Sequence, residues 1–153
     1  MFDKILPRSI DNAYQGHKLA LWLFTLIVAL RMTQSLMVIV NGYSIAMSAD
    51  GIPLNTFTAQ AAQTVVTIFA LSAVSRLIIA LLCLLVLVRY RSAVPFMFVV
   101  LILAYLAGEL VLWFLPLART GSPPGPGVNL VSFALMVIGL ALSLWKRRAP
   151  AKV

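Results

Sequence analysis

Acidic residues are nearly absent from this chain. Asp3, Asp11, Asp50 and Glu109 are the whole complement against 12 lysines and arginines, giving a formal net charge of +8. Reactive side chains are as scarce, with one histidine and one cysteine in 153 residues. Cys83 has no second cysteine with which to form an intramolecular disulfide, a CxxC redox pair or a thiolate metal site. His17 stands beside Lys18 with no second ligand nearby, so it reads as a solvated or interfacial residue. A serine or cysteine hydrolase needs a base within reach of its nucleophile, and metal chemistry needs several histidine, cysteine or carboxylate ligands. Neither set can be assembled here. The expectation is a protein that is not an enzyme and uses no metal or cofactor.

The charged surface of a soluble protein is also missing. Charged residues make up 10% of the chain, where a soluble domain carries about a quarter. Hydrophobic residues reach 62%, with a mean hydropathy of +1.02. A domain of this size cannot hide so much apolar sequence in a core, so the surplus must face a lipid bilayer. The basic excess does not form the continuous face that a nucleic-acid partner requires. It gathers in short clusters at the ends of apolar runs, where cytoplasmic anchors of membrane helices belong.

What is present is four long apolar runs, at residues 19–40, 64–88, 93–115 and 128–145. Each has the roughly 17–25 residues needed to cross a hydrocarbon core. Backbone groups in hydrocarbon must satisfy one another, which makes runs of this length helical, and the alternating pattern of a membrane barrel is missing. The first run follows a basic segment, as a signal peptide would. It is longer than a typical signal core, however, and Arg31, Gln34 and Ser35 interrupt it, so it reads as a retained helix. The expected fold class is an all-α membrane protein, a four-transmembrane-helix bundle with antiparallel up-down connectivity. Residues 1–153 form one integral membrane domain.

Orientation follows from the basic residues. Lys4, Arg8 and Lys18 precede the first run, Arg89 and Arg91 fill the loop 89–92, and Lys146, Arg147, Arg148 and Lys152 follow the last. The opposite loops, 41–63 and 116–127, hold only Arg119. Both termini are therefore expected in the cytoplasm (N-in, C-in) of a plasma membrane. A bacterial inner membrane is the default for a compact multi-pass chain with no other targeting signal. Trp22, Tyr90 and Trp145 fall near the inner boundary and Tyr43, Trp113 and Phe114 near the outer one, where amphipathic rings are favoured.

The connections carry their own signals. The loop 89–92 is so short that the second and third helices should be antiparallel neighbours. Asp50-Gly51 and Pro53 mark a turn, with Asn55, Thr56 and Thr58 as candidate helix caps. The stretch ARTGSPPGPG at 118–127 reads as a stiff extended spacer. Residues 10–14, with Asp11 or Asn12 as cap, read as a short interfacial helix.

Three ionisable residues fall inside the runs: Arg31, Arg76 and Glu109. An arginine at the centre of a membrane helix costs about 2.5–3.5 kcal/mol on insertion scales. Counting from Lys18 and from Arg89, both arginines lie about 20 Å from the inner boundary, level with each other. Glu109 lies about 27 Å up, close enough to serve as counter-ion. Gln34 and Ser35 share the face of Arg31, Ser72 that of Arg76, and Tyr105 that of Glu109, at the three- and four-residue spacings of a helix. Arg31, Gln34, Ser72, Arg76, Tyr105 and Glu109 thus form a candidate intramembrane polar cluster. The fourth run offers Asn129, Ser132 and Ser143, with Gly139 for close helix approach.

Three readings of this cluster are open: a staple between helices, arginines reaching to outer headgroups, or a pocket. A sealed triad marks a staple; a cavity open to one side marks a binding site. The expected function is that of a non-enzymatic structural or accessory membrane component, docking on other membrane proteins or on a second copy. The alternative is an oligomeric carrier or binding bundle for an anionic or amphiphilic ligand, with both arginines on the anion and Glu109 balancing them.

Overall fold

The computed structural model describes residues 16–145 together with Ile5, Asp11, Asn12 and Tyr14. It is all-helical, with no strand among the described residues, and has four helices long and apolar enough to cross a membrane. They are α1 (Lys18–Ser48), α2 (Ala59–Arg89), α3 (Val94–Phe114) and α4 (Gly125–Leu144). Short 3-10 turns at Leu54–Thr56 and Arg91–Ala93 lead into α2 and α3.

Local chemistry sets the helix ends. His17 caps α1, its Nδ1 accepting from the Leu19 N–H at 3.2 Å, and Thr58 caps α2 by accepting from Ala61 at 3.3 Å. Pro95 and Pro126 lie in the first turns of α3 and α4, where a missing N–H costs nothing. The first two helices run well past the apolar stretches that announce them. Hydropathy marks where apolar side chains stop, whereas a helix stops at its cap, and Thr58 lies several residues before the second run begins. At Asn41 (φ −125°, ψ 38°), α1 kinks beside Gly42, and a Cβ on Gly42 would sit 3.2 Å from Val66. The kink lets the last turns of α1 lean closely on α2. Asp11, Asn12 and Tyr14 are not helical, and the rest of the short interfacial helix expected at 10–14 lies outside the described residues.

The helices form a ring in chain order with unequal seams. α1 packs most extensively on α2, then on α4, and α4 packs on α3. α2 and α3, joined by the shortest connection, touch little beyond it. The buried residues of α3 are all in its first two or so turns, ending at Leu101. Burial concentrates at the end of the ring where α1 begins and α4 finishes. There Phe24 and Phe98 meet edge to face at 5.1 Å, with Ile27, Val94 and Met136 around them. A smaller cluster of Ala46, Ile52, Leu54 and Ala62 closes the opposite, distal end.

Backbone hydrogen bonds stitch both ends. Ser92 Oγ donates to the Asp11 carbonyl at 2.8 Å, and the His17 N–H donates to the Leu142 carbonyl at 3.2 Å. At the distal end, the Thr120 and Gly125 N–H groups donate to the carbonyls of Gly51 and Ala49, each at 2.8 Å. Gly51, at φ +71°, takes the left-handed conformation that this turn requires.

Gly139 marks a close approach between α3 and α4. A Cβ there would overlap the ring of Phe98, which is fully buried and has no free rotamer to retreat into. We expect Gly139→Val to destabilise the bundle by about 1–3 kcal/mol. Gly108→Ala, which meets nothing within 4 Å, should be neutral or slightly stabilising. Thermal unfolding in detergent micelles checks both, and an unshifted Tm for Gly139→Val would contradict this packing.

Candidate functional site

Two clefts meet at the paired arginines. Helix side chains lean toward the N-terminus of their own helix, and α1 and α2 run antiparallel. Arg31 therefore leans toward the end rich in basic residues, and Arg76 leans toward the distal end. Arg76 does reach back along α2, its guanidinium 6.0 Å from the centre of the Phe69 ring. Arg31 faces the other way, in the electrostatic field of Cys83 and Tyr105. The two cations stay close enough to repel each other.

The first cleft, of about 230 Å³, lies between α1 and the start of α4, with Arg76 reaching in from α2. Arg31, Gln34, Arg76, Asp50 and Asn129 supply its polar walls. The second, of about 110 Å³, occupies the loose seam between α2 and α3. Apart from Arg31, Arg76, Cys83 and Tyr105, its lining is Val28, Ile79, Ala80, Leu101 and Ala104. Both are open to the surroundings. The first is the more polar and includes residues of the distal turns, whereas the second is lined almost wholly by apolar side chains of α2 and α3.

Neither guanidinium has a hydrogen-bond acceptor among the described residues, and neither forms an ion pair with a described carboxylate. Arg31 Nε is buried and unsatisfied. The side chains that share their faces look to their own backbones: Ser35 Oγ donates to the Arg31 carbonyl at 2.8 Å and Ser72 Oγ to the Ile68 carbonyl at 2.9 Å. An unsatisfied buried donor costs about 1–3 kcal/mol, more when charged. Both arginines line both clefts, and each guanidinium brings five N–H donors.

No family model, curated protein or solved structure matches the chain. The functional reading rests on this geometry alone.

Of the six cluster residues, Arg31, Gln34, Arg76 and Tyr105 are brought together around the two clefts. Ser72 and Glu109 line neither. Glu109 is exposed on α3; its link to the site is electrostatic, through Tyr105, whose hydroxyl lies in the fields of both Glu109 and Arg31. Phe133 of α4 stacks on Tyr105 at 4.7 Å and holds the ring against the seam. No group of three His, Cys, Asp or Glu side chains among the described residues is placed to hold a metal ion.

The carboxylate that shares a cleft with the arginines is Asp50. It stands at the mouth of the polar cleft, in the fields of Arg119 and Arg76, with Oδ1 3.0 Å from where a Gly125 side chain would begin. That spot is the N-terminus of α4, whose dipole favours negative charge. The sequence places Asp50 in a loop remote from both arginines, and only the fold of the 49–52 turn over α4 carries it in. Its local signal is slight: it is the sole acid in either distal loop.

Burial pushes the Asp50 carboxyl above its ordinary value of 3.8, with Arg119 and Arg76 opposing the rise. A raised folded pKa means that the folded state holds this proton more tightly than the unfolded state. Stability from Asp50 is then fully present below its unfolded pKa and is lost as pH climbs through the folded one. We expect the Tm of the wild type to fall relative to Asp50→Asn as pH rises from about 4 through that window, and the two to run parallel above it. A Tm difference independent of pH across the whole range would contradict the placement of Asp50.

Proposed function

We propose that this protein is a non-enzymatic plasma-membrane component that binds the anionic group of an amphiphile between Arg31 and Arg76. The four helices insert in the bilayer in this reading. The run of basic residues at 89–92 and outside the first and last helices holds that end, with both termini, in the cytoplasm. A bacterial inner membrane suits a compact bundle of this kind. The distal end, with Asp50 and the proline-rich loop, then faces outward.

The observation that carries the proposal is a pair of arginines with no acceptor among the described residues, both lining one open cleft. A staple would show a closed ion pair with each N–H satisfied, because a half-satisfied buried network is worse than an apolar one. Arginines serving only as headgroup anchors would both reach to the nearest boundary. Arg31 leans inward and fits neither role. What suits two converging planar forks is an anion with several acceptor oxygens. Gln34 and Asn129 add amide donors on the same wall. Asp50, whose field reaches Arg76, balances part of the positive charge.

The test is equilibrium binding of dodecyl phosphate to the detergent-purified full chain. Arg31→Gln and Arg76→Gln should each weaken it by about tenfold or more, the loss of one charge-assisted contact. Expression and Tm should hold or rise, since each variant removes an unsatisfied charge. Unchanged affinity in both variants would overturn the proposal.

A further inference from the structure

The two clefts share their arginines and differ in everything else, and that difference describes the shape of a ligand. Along the α2–α3 seam the walls are Ile79 and Ala80 on one side and Leu101 and Ala104 on the other, with Val28 behind. Besides the two arginines, this cleft presents only Tyr105 and Cys83 as polar-capable groups. The small side chains at Ala80 and Ala104 are what keep it open. Beyond Leu101, α3 has no fully buried residue, and Leu103, Leu106, Leu110 and Val111 are all exposed. The seam therefore opens sideways along the apolar flank of the bundle rather than toward water.

We infer that the anion is the headgroup of a phosphomonoester lipid, which enters sideways between α2 and α3 and leaves its hydrocarbon chain in that seam. This deepens the proposed function and rests on it. A phosphomonoester carries about −1.5 to −2 charges near neutral pH and three acceptor oxygens, enough to occupy both guanidinium forks at once. A single carboxylate would satisfy one fork and leave the other bare. A hydrocarbon chain explains why the arginines open onto an apolar seam as well as onto the polar cleft. A soluble phosphate needs only the polar cleft at the distal end. Asp50, in the wall of that cleft, would oppose a free anion entering there. It has no such effect on a headgroup arriving from α3.

The experiment separates lipid from free phosphate and head from tail. The full-length chain is reconstituted in phosphatidylcholine nanodiscs doped with phosphatidic acid, and the lipid retained is measured by native mass spectrometry. In parallel, inorganic phosphate is titrated against the chain in undoped nanodiscs. Ala104→Phe fills the seam from an exposed position on α3 and leaves both arginines in place. It should lower phosphatidic acid retention by about tenfold, while Arg31→Gln/Arg76→Gln should abolish it. Free phosphate should bind weakly in every case. Full retention by Ala104→Phe together with loss in the double arginine variant overturns the sideways route and leaves the arginine site standing. Free phosphate binding as tightly as the lipid also overturns the inference. Retention unaffected in the double arginine variant overturns the proposed function itself.

Discussion

A guanidinium keeps its charge at any pH this protein will meet, so Arg31 and Arg76 cannot escape apolar surroundings by losing a proton. Each must find an anion, find water, or reach a boundary. The antiparallel pairing of α1 and α2 divides those choices. It sets both side chains at one level and then turns them in opposite directions, because each leans toward the start of its own helix. Arg76 comes under the influence of Asp50 and the distal loops. Arg31 turns inward, where Cys83 and Tyr105 offer no formal charge at neutral pH. The result is a cationic centre only partly balanced by the protein.

The unequal seams of the ring serve that centre. In a lipid environment apolar burial gives little drive for helices to associate, and close packing supplies much of what holds them. Here close packing is spent at the end with the basic residues, where Phe98 fits the notch at Gly139 and meets Phe24 edge to face. α3 is held on α4 there and by the Tyr105–Phe133 stack, and it makes little contact with α2. A tighter seam would seal Arg31 in a dry pocket with no acceptor. The looseness of α3 and the lone guanidinium are two aspects of one arrangement.

Much of the frame was legible from residue chemistry. Four apolar runs announced four helices, Thr58 announced a cap, Asp50-Gly51 a turn and Gly139 a close contact. The level of the two arginines followed from counting back to Lys18 and Arg89. The partner acid was not legible in this way. Glu109 has the right depth by arithmetic, but depth says nothing of azimuth, and α3 turns that residue outward. Asp50 approaches through a turn folded over the start of α4, a tertiary contact that no helical spacing encodes. The short 89–92 connection rightly implied antiparallel neighbours, yet loop length constrains only where two helices begin. How far they stay together depends on side chains such as Ala80 and Ala104, too small to bridge the gap.

The register of α1 against α2 decides whether the two arginines share a site at all. About three turns beyond Arg31 and Arg76 toward the distal end, Gly42 faces Val66 at near contact. A Gly42→Cys/Val66→Cys pair, in a Cys83→Ser background and in native membranes, reports that register directly by disulfide formation under mild oxidation. The paired-arginine centre predicts rapid cross-linking for this pair and none for Gly42→Cys/Leu71→Cys. Cross-linking of the shifted pair in place of the first would separate Arg31 from Arg76 and contradict the site.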